Sequence, residues 1–323
     1  MVHVAFLLDP IDGLDLKKDS SLAMIRAAIR RGWRVSYLRQ EDLSWKNNRP
    51  IGRLRTLTLD PSFLAELDPT EAPDDWYHLS ETIEADLASI DLIMMRKDPP
   101  FDLEYIYTTY FLERAESLGV RVVNKPASLR DCNEKFFATQ FPEFTPPCIV
   151  SRDTEQLIQF HSEQGEVVFK PLDGMGGANV FRIGPEDPNL RVVIENLTDR
   201  GRKTIMAQRY LPEITDGDKR ILLINGKPIE FALARIPMAG EARGNLAAGG
   251  TGVGRELTER VRFIANALGP ELKRLGLIFV GIDVIGDYLT EVNVTCPTCI
   301  RELDSQFSID IGGMLMDELE SVI

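Results

Sequence analysis

The chain reads GLIFVGIDVIGDYLTEVNV over residues 276–294, and this stretch organises the rest of the fold. Two apolar, alternating segments flank a Gly-Asp turn, a pattern typical of a β-hairpin. Side chains two positions apart share a strand face, so Glu291 lies beside Asn293, and Asp283 joins them if the strands pair across the turn. Such an oxygen cluster suits Mg²⁺ better than Zn²⁺. The alternative is a solvated hairpin face with three polar side chains.

The composition limits the class of protein. The chain has 323 residues, enough for a large core and for more than one domain. Its net charge of −13 disfavours nucleic acid and anionic membranes, so an anionic ligand needs a local basic cluster. The start, MVHVAFLLDPIDG, lacks the features of a signal peptide, and no run is long enough to cross a bilayer. We therefore expect a cytoplasmic protein with neither nucleic-acid nor membrane partners.

The four cysteines do not indicate a disulfide framework. Cys296 and Cys299 form a single C-x-x-C, which cannot supply the four ligands of a structural zinc site. A redox role is one interpretation, because this spacing can lower a thiol pKa. The other interpretation is that the two cysteines are unrelated small residues, and the lack of a thioredoxin-like context favours this second interpretation. The histidines are scattered and carry no catalytic prediction.

The N-terminal part, residues 1–124, predicts an open α/β domain. A strand, a helix over 19–31 and a second strand follow one another between residues 2 and 40. This β-α-β order implies a parallel sheet covered by helices. After an irregular section over 47–80, the unit repeats between 91 and 125. No G-x-G-x-x-G follows the first strand, which argues against a dinucleotide-binding fold.

Beyond residue 125 the strands become shorter, and glycine concentrates in Asp173-Gly-Met-Gly-Gly177 between two predicted strands. This hairpin tip is not a P-loop, because the G-K-[ST] ending and a following helix are missing. A tight turn would explain the glycines. The nearby Lys170 favours a lid whose backbone N–H groups approach phosphate oxygens. The strand over 206–213 offers backbone groups that could read an adenine edge, although most such strands are simply core. Further helices are predicted over 153–164, 189–199, 256–275 and 309–323.

Three arginines, Arg220, Arg235 and Arg243, fall in predicted sheet and loop of an acidic chain. Single arginines usually form surface pairs worth little. Three beside a carboxylate cluster predict recognition of phosphate and carboxylate groups. The small-residue loop over 243–254 is either disordered or a functional lid, and the polar start at Arg243 and Asn245 favours a lid.

Together these motifs resemble the ATP-grasp ligases and, within them, the bacterial glutathione synthetases, nearly from end to end. DGMGG and RGNLAAGG fit several ATP-grasp enzymes, whereas MRKDPPFD with NKPASLRDCNEK is a much narrower signature. The segments that carry the resemblance are KKDSS (17–21), MRKDPPFD (95–102), VVNKPASLRDCNEK (122–135), FKPLDGMGGA (169–178), DGDKR (216–220), LARIP (233–237), RGNLAAGG (243–250) and LTEVNVTCPTCIRE (289–302).

The resemblance implies an α/β ATP-grasp fold with an N-terminal open parallel α/β domain, the pre-ATP-grasp domain. It implies three domains, over 1–124, 125–200 and 201–323, with ATP between the last two. The central domain would be the lid and the last one the sheet domain. Residues carried over by motif as ATP-binding are Lys135, Lys170, Gly174, Met175, Gly176, Gly177, Gln208, Tyr210, Leu211 and Asp218.

The resemblance also implies the reaction. ATP would phosphorylate the cysteinyl carboxylate of γ-glutamylcysteine, and glycine would then attack the acyl phosphate, giving glutathione, ADP and phosphate. Family members are commonly tetramers. The implied catalytic residues are Arg220 and Arg235, the implied substrate ligands are these two with Arg243 and Asn245, and the implied Mg²⁺ ligands (Mn²⁺ being able to replace it) are Asp283, Glu291 and Asn293. Cys296 is a departure, because relatives often carry a small hydroxyl residue there.

Two alternatives stay open. Another ATP-grasp carboxylate-amine ligase, such as an amino-acid-adding or D-alanyl-dipeptide ligase, would share the ATP motifs but not the N-terminal ones. A non-catalytic ATP-binding regulatory protein would be expected to lack metal-binding or arginine residues, and here all of them are present.

Overall fold

The computed structural model describes residues 1–65, 75–238, 244, 246 and 249–323. Its strands form three sheets. The N-terminal sheet contains β1 (His3–Leu7), β2 (Arg34–Leu38), β3 (Leu43–Lys46), β4 (Arg49–Leu59), β5 (Tyr77–Leu79), β6 (Ile83–Asp86), β7 (Leu92–Met95) and β8 (Arg121–Val123). β1 pairs in parallel with β2 and β7, and β7 with β8. The predicted parallel α/β arrangement is therefore confirmed for these strands.

The prediction of irregular structure over 47–80 was wrong. Eleven of its described residues form the long β4, which pairs antiparallel with β2, β3, β5 and β6. Within β4 the buried Gly52 and Leu54 alternate with Arg53 and Arg55, which are more exposed. This period-2 pattern is what places one strand face on a core. The Pro and Asp residues around it obscured the pattern in the sequence.

The helices are α1 (Ser20–Arg30), α2 (Pro61–Ala65), α3 (Leu103–Ser117), α4 (Pro126–Asp131), α5 (Thr154–Gln164), α6 (Leu190–Leu197), α7 (Glu259–Arg274), α8 (Ile300–Phe307) and α9 (Ile311–Glu320). The longer ones match the predictions, and five begin after a side chain that accepts a backbone N–H bond, namely Asp19, Asp102, Asp153, Thr258 and Asp310. The short α2, α4 and α8 were not predicted, since so few turns carry little periodicity. No helix within the described ranges is long and apolar enough to cross a membrane.

The other two sheets are antiparallel. The central sheet contains β9 (Cys148–Ser151), β10 (Val167–Pro171), β11 (Phe181–Ile183) and β12 (Ile205–Arg209), in the order β11-β10-β12-β9. The C-terminal sheet contains β13 (Asp218–Ile224), β14 (Lys227–Ile236), β15 (Thr251–Glu256), β16 (Phe279–Ile285) and β17 (Tyr288–Asn293), in the order β15-β14-β13-β16-β17.

The end of the predicted loop over 243–254 is a strand, which corrects that prediction. Residues 251–254 belong to β15 and pair with β14. A Cβ atom on Gly252 would lie 3.2 Å from a methyl carbon of Leu233, so the glycine lets the strand lie close to its neighbour. Pairing with β14 thus overrides the weak strand preference of glycine.

Three hydrophobic clusters form the core. Two of them contain residues of both the N-terminal and the C-terminal sheets, for example Leu7 with Val280 and Phe6 with Leu222. The third contains only residues from 149 to 207, in the central sheet and its helices α5 and α6. The central sheet therefore has a core of its own, and a cleft lies between it and the C-terminal sheet.

Candidate functional site

A cavity of about 160 Å³, here called the first cavity, lies in this cleft. The structure brings to its wall every residue that the resemblance assigns to ATP, from both sheets and from the segment after α4. It is also lined by the proposed catalytic and metal-binding residues Arg220, Glu291 and Asn293. These residues are up to 158 positions apart in the chain, from Lys135 to Asn293, so the fold rather than the sequence brings them together.

Two buried lysines lie on one side of the first cavity. Lys135 Nζ donates to the carbonyl oxygen of Gly174 over 2.5 Å, and Lys170 Nζ donates to Gln208 Oε1 over 3.2 Å. Their Nζ atoms lie 3.9 and 3.7 Å from Glu291 Oε1. Burial lowers the pKa of Lys170, while Glu291 opposes that shift. Two ammonium groups facing one carboxylate leave an excess of positive charge, which an anionic group would neutralise.

The glycine-rich segment covers these lysines, as the hairpin prediction requires. β10 and β11 flank it and pair antiparallel. Gly176 and Gly177 adopt φ values of 61° and 79°, in the left-handed region that side chains other than glycine seldom occupy. At these two glycines the backbone approaches the first cavity without a Cβ atom, next to Met175, which also lines it.

Arginines and aspartates form a buried network on the C-terminal sheet. Asp283 lies opposite Arg220 across the β13–β16 pair and opposite Glu291 across the hairpin. Arg220 donates from Nε to Asp283 Oδ1 over 2.5 Å and from Nη2 to Oδ2 over 2.9 Å. Arg235 Nη2 lies 2.9 Å from the same Oδ2 and 2.5 Å from Asp218 Oδ2. Register thus sets two of these pairs, Arg220 with Asp283 and Arg235 with Asp218.

The two aspartates of this network differ in their pKa values. Burial would raise the pKa of Asp283, but Arg220 and Arg235 outweigh burial and hold it well below the ordinary value. Burial raises the pKa of Asp218, which the single contact with Arg235 only partly opposes. Asp218 Oδ1 is buried with no hydrogen-bond partner in the described part of the chain, although its residue lines the first cavity. A ligand hydroxyl is a donor that would satisfy this atom.

The predicted metal-binding side chains lie at one end of the hairpin but have different partners. Asn293 Nδ2 donates to Asp283 Oδ2 over 3.2 Å, so the three side chains share one region of the hairpin. Both Asp283 oxygens, however, are engaged by guanidinium groups. Across the described ranges no group of three or more His, Cys, Asp or Glu side chains is arranged to hold a metal. The carboxylate of Glu291 and the amide oxygen of Asn293 are oxygen donors of the kind that Mg²⁺ prefers, so these two side chains would hold such an ion.

A second cavity of about 210 Å³ adjoins the first. Arg220 and Asn293 line both cavities, and Arg235 lines the second. The segment after β17 forms another wall, with Thr295, Cys296, Thr298 and Cys299, and Asp98 of the MRKDPPFD motif contributes as well. The sequence prediction assigned no role to Asp98 or Thr298, although both lie in motifs that carried the resemblance.

The C-x-x-C pair lies on the wall of the second cavity but is poorly suited to redox chemistry. Cys296 Sγ donates to the carbonyl oxygen of Arg96 over 3.3 Å, and Cys299 is buried. Burial raises the pKa of both thiols. Because the thiolate is the reactive form, these environments favour the interpretation as packing residues.

Arg243 and Asn245 lie outside the described residues, so their predicted substrate roles stay predictions. Gly244 between them is described, and it lines the first cavity. A Cβ atom on Gly244 would clash with the carbonyl oxygen of Arg235, so the backbone passes directly over that residue. The start of the predicted lid is therefore at the site.

Comparison with known proteins covers the whole chain. The profile described as prokaryotic glutathione synthetase, N-terminal domain, matches residues 2–130, and the one described as prokaryotic glutathione synthetase, ATP-grasp domain, matches residues 134–308. The glutathione synthetase of Pseudomonas syringae pv. tomato is 54% identical over 319 residues, covering 99% of this chain and 97% of the relative. That of Escherichia coli O6:H1 is 50% identical over 321 residues, covering 99% and 98%.

Solved structures show the same fold at low identity. D-cycloserine synthetase DcsG superposes with a TM-score of 0.66 at 15% identity, covering 98% of this chain and 99% of that one. The ATP-grasp ligase PsnB, complexed with minimal precursor, Mg and ADP, gives 0.62 at 17% identity, covering 99% and 97%. These likenesses establish the ATP-grasp fold alone, whereas the profiles and the close relatives distinguish among its ligases. The chain belongs to the prokaryotic glutathione synthetase family and is an ATP-dependent ligase.

Proposed function

We propose that this chain joins γ-glutamylcysteine to glycine at the expense of ATP, through an acyl phosphate, and releases glutathione, ADP and phosphate. The observation that supports the proposal is the arrangement of positive charges where the two cavities adjoin. Arg220 lines both, with Lys135 and Lys170 on the side of the first cavity and Arg235 on the side of the second. A phosphoryl group arriving from the first cavity would thus meet a carboxylate held in the second among fixed positive charges.

We assign ATP to the first cavity. Lys135 and Lys170 would contact its phosphates, and the tip over Gly174–Gly177 would cover them. Residues 208–211, through Gln208, Tyr210 and Leu211, would hold the adenine. The unpartnered Oδ1 of Asp218 supports its assignment to the ribose, because ribose hydroxyls are donors.

We assign Mg²⁺, with Mn²⁺ able to replace it, to Asp283, Glu291 and Asn293. When bound, the ion neutralises charge on the β- and γ-phosphate oxygens. Participation of Asp283 requires that its carboxylate leave the two guanidinium groups that now hold it. A substrate carboxylate has the same charge and shape, so it could replace Asp283 on these arginines.

The remaining chemistry belongs to the arginines and the lid. A carboxylate resists attack by an amine because oxide is a poor leaving group, and phosphorylation removes that obstacle. Arg220 and Arg235 would orient the carboxylate and stabilise the oxyanion of the tetrahedral intermediate, each well-placed donor contributing about 3 kcal/mol. Arg243 and Asn245 would bind substrate from the predicted lid that begins at residue 243, and this lid would keep water from the acyl phosphate.

The test is phosphate release from ATP with γ-glutamylcysteine and glycine each omitted in turn, and with the peptide product identified by mass. We expect sustained release only when all three substrates are present. Sustained release without γ-glutamylcysteine, or ligation of two free amino acids in its place, would contradict the proposal and favour another ATP-grasp ligase. ADP binding without any turnover would favour a regulatory protein.

Three further proposals come from the sequence. The division into domains at about residues 124 and 200 is supported by the three sheets, which lie within residues 3–123, 148–209 and 218–293. A cytoplasmic location and a homotetramer are the other two. Light scattering on the purified protein would measure the number of subunits.

A further inference from the structure

Glu134 is a half-buried residue to which neither the resemblance nor the mechanism above assigns a role. Its Oε1 accepts hydrogen bonds from the backbone N–H groups of Val294 and Thr295, each over 3.0 Å, and from Thr295 Oγ1 over 2.7 Å. Its own carbonyl oxygen accepts from the N–H of Val292 over 2.8 Å. One residue therefore holds the backbone on both sides of Asn293.

The same residue is the chain neighbour of Lys135. Lys135 reaches Gly174 of the covering tip and approaches Glu291. Glu134 lines both cavities at the wall they share. The side chain and the carbonyl group of Glu134 thus join the segment that carries the lysine directly to the hairpin end that carries Glu291 and Asn293.

Neither segment has regular structure to hold it in place. Residues 132–136 follow the end of α4, and residues 294–299 lie between β17 and α8, outside any helix or strand. In such segments side-chain hydrogen bonds replace the backbone ladder that fixes a strand. An oxygen that accepts three donors is well suited to this, because a carboxylate has lone pairs to spare.

We propose that Glu134 is a positioning residue for the phosphoryl transfer: it holds Lys135 and Asn293 in the relative arrangement that a nucleotide phosphate and its Mg²⁺ require. This inference rests on the proposed function for its meaning, but it makes a separate claim about nucleotide binding. It assigns the effect to the acceptor oxygen of Glu134 rather than to its charge.

Variants at Glu134 and at its partner separate the effect of the acceptor oxygen from the effect of the charge. Glu134→Gln keeps an acceptor oxygen and removes the charge, whereas Glu134→Leu removes both. Thr295→Val removes one of the three donors with little change of shape. Ser128→Ala is the matched control, because Ser128 Oγ ties α4, the helix just before Glu134, to the C-terminal part of the chain at the Leu275 carbonyl, but Ser128 lines neither cavity.

Two measurements are made on each full-length protein. One is the affinity for ADP by calorimetry, with and without Mg²⁺, and the other is steady-state kinetics with each substrate varied. For Glu134→Leu we expect ADP affinity in the presence of Mg²⁺ to fall by about 10–100-fold, with a matching rise in KM for ATP and little change in KM for glycine. Glu134→Gln should stay within about threefold of the unmodified protein, and Ser128→Ala should bind ADP normally whatever its melting temperature.

Two results would overturn the inference. One is a folded Glu134→Leu protein with unchanged ADP affinity and KM for ATP. The other is a Glu134→Gln protein as impaired as Glu134→Leu, which would assign the effect to charge. If Glu134→Leu does not fold, Thr295→Val decides: a raised KM for ATP supports the inference, and unchanged kinetics refute it. An unmodified protein that binds ADP with Mg²⁺ but makes no glutathione would contradict the proposed function. The ADP affinities of the variants would still test the positioning role of Glu134.

Discussion

Replacement of Arg220 by alanine is the most direct test of the site. Arg220 holds Asp283 through two hydrogen bonds and lines both cavities, so it is placed to touch the carboxylate during both steps. Loss of one well-placed donor to a developing oxyanion costs about 3 kcal/mol. At 1.36 kcal/mol for each factor of ten, we expect kcat to fall by on the order of a hundredfold. ADP affinity should persist, because the lysines of the first cavity are untouched.

The same change also has a structural cost, which the experiment must separate. Asp283 would keep its contact with Arg235 but lose the bidentate partner, and removing one member of a buried ion pair costs about 3–5 kcal/mol of stability. Arg220→Lys is the matched variant, since it keeps a charge beside Asp283 but cannot form the fork. We expect it to recover much of the stability and little of kcat.

The assay is phosphate release at saturating substrates, with ADP calorimetry and urea unfolding on each variant. The reasoning would be refuted by an Arg220→Ala protein that is folded and keeps kcat within threefold of the unmodified value. It would also fail if Arg220→Lys recovered kcat and stability to the same extent, because the fork would then be unimportant for the chemistry.

Three further predictions concern the neighbouring groups. Glu291→Gln should raise the Mg²⁺ concentration needed for half-maximal turnover by about tenfold or more, and an unchanged requirement would show that Glu291 does not face the ion. Asp283 has a lowered pKa in the folded chain, so its stabilisation is fully present above the unfolded value of about 3.9 and is lost as pH falls below it. The difference in unfolding free energy between the unmodified protein and Asp283→Asn, measured in urea, should therefore be larger at about pH 8 than below about pH 4, and a difference that grows in acid would contradict this sign. Cys296→Ser should match the unmodified protein in kcat and in its response to mild oxidant, whereas selective protection by the serine would revive the redox interpretation.

Much of the fold follows from local patterns in the sequence. The hairpin that carries Asp283 and Glu291 was predicted from alternation around a Gly-Asp turn, and the two residues do lie opposite each other. The start of α1 followed from the capping residue Asp19, whose side chain accepts a backbone N–H bond within the next turn. These features involve residues a few positions apart, so propensity and turn chemistry are enough to predict them.

Local patterns failed where packing decided the conformation. β4 and β15 were predicted as irregular or loop, although both are paired strands. A glycine-rich segment such as residues 251–254 has little strand preference of its own. Pairing with β14 and the contact with Leu233 supply what the sequence of that segment lacks.

By itself the sequence determined which chemical groups the site contains and which family the motifs resemble, because residue identity and short spacing are local properties. Only the tertiary structure decided which groups meet. Arg220 and Asp283 are 63 residues apart, and Glu134 and Thr295 are 161 apart, yet each pair is joined by hydrogen bonds. The hairpin side chains first interpreted as a simple metal cluster prove to be divided, with Asp283 held by arginines and Glu291 facing lysines. The physical reason is that strand register and burial select each partner, and both depend on contacts between distant parts of the chain.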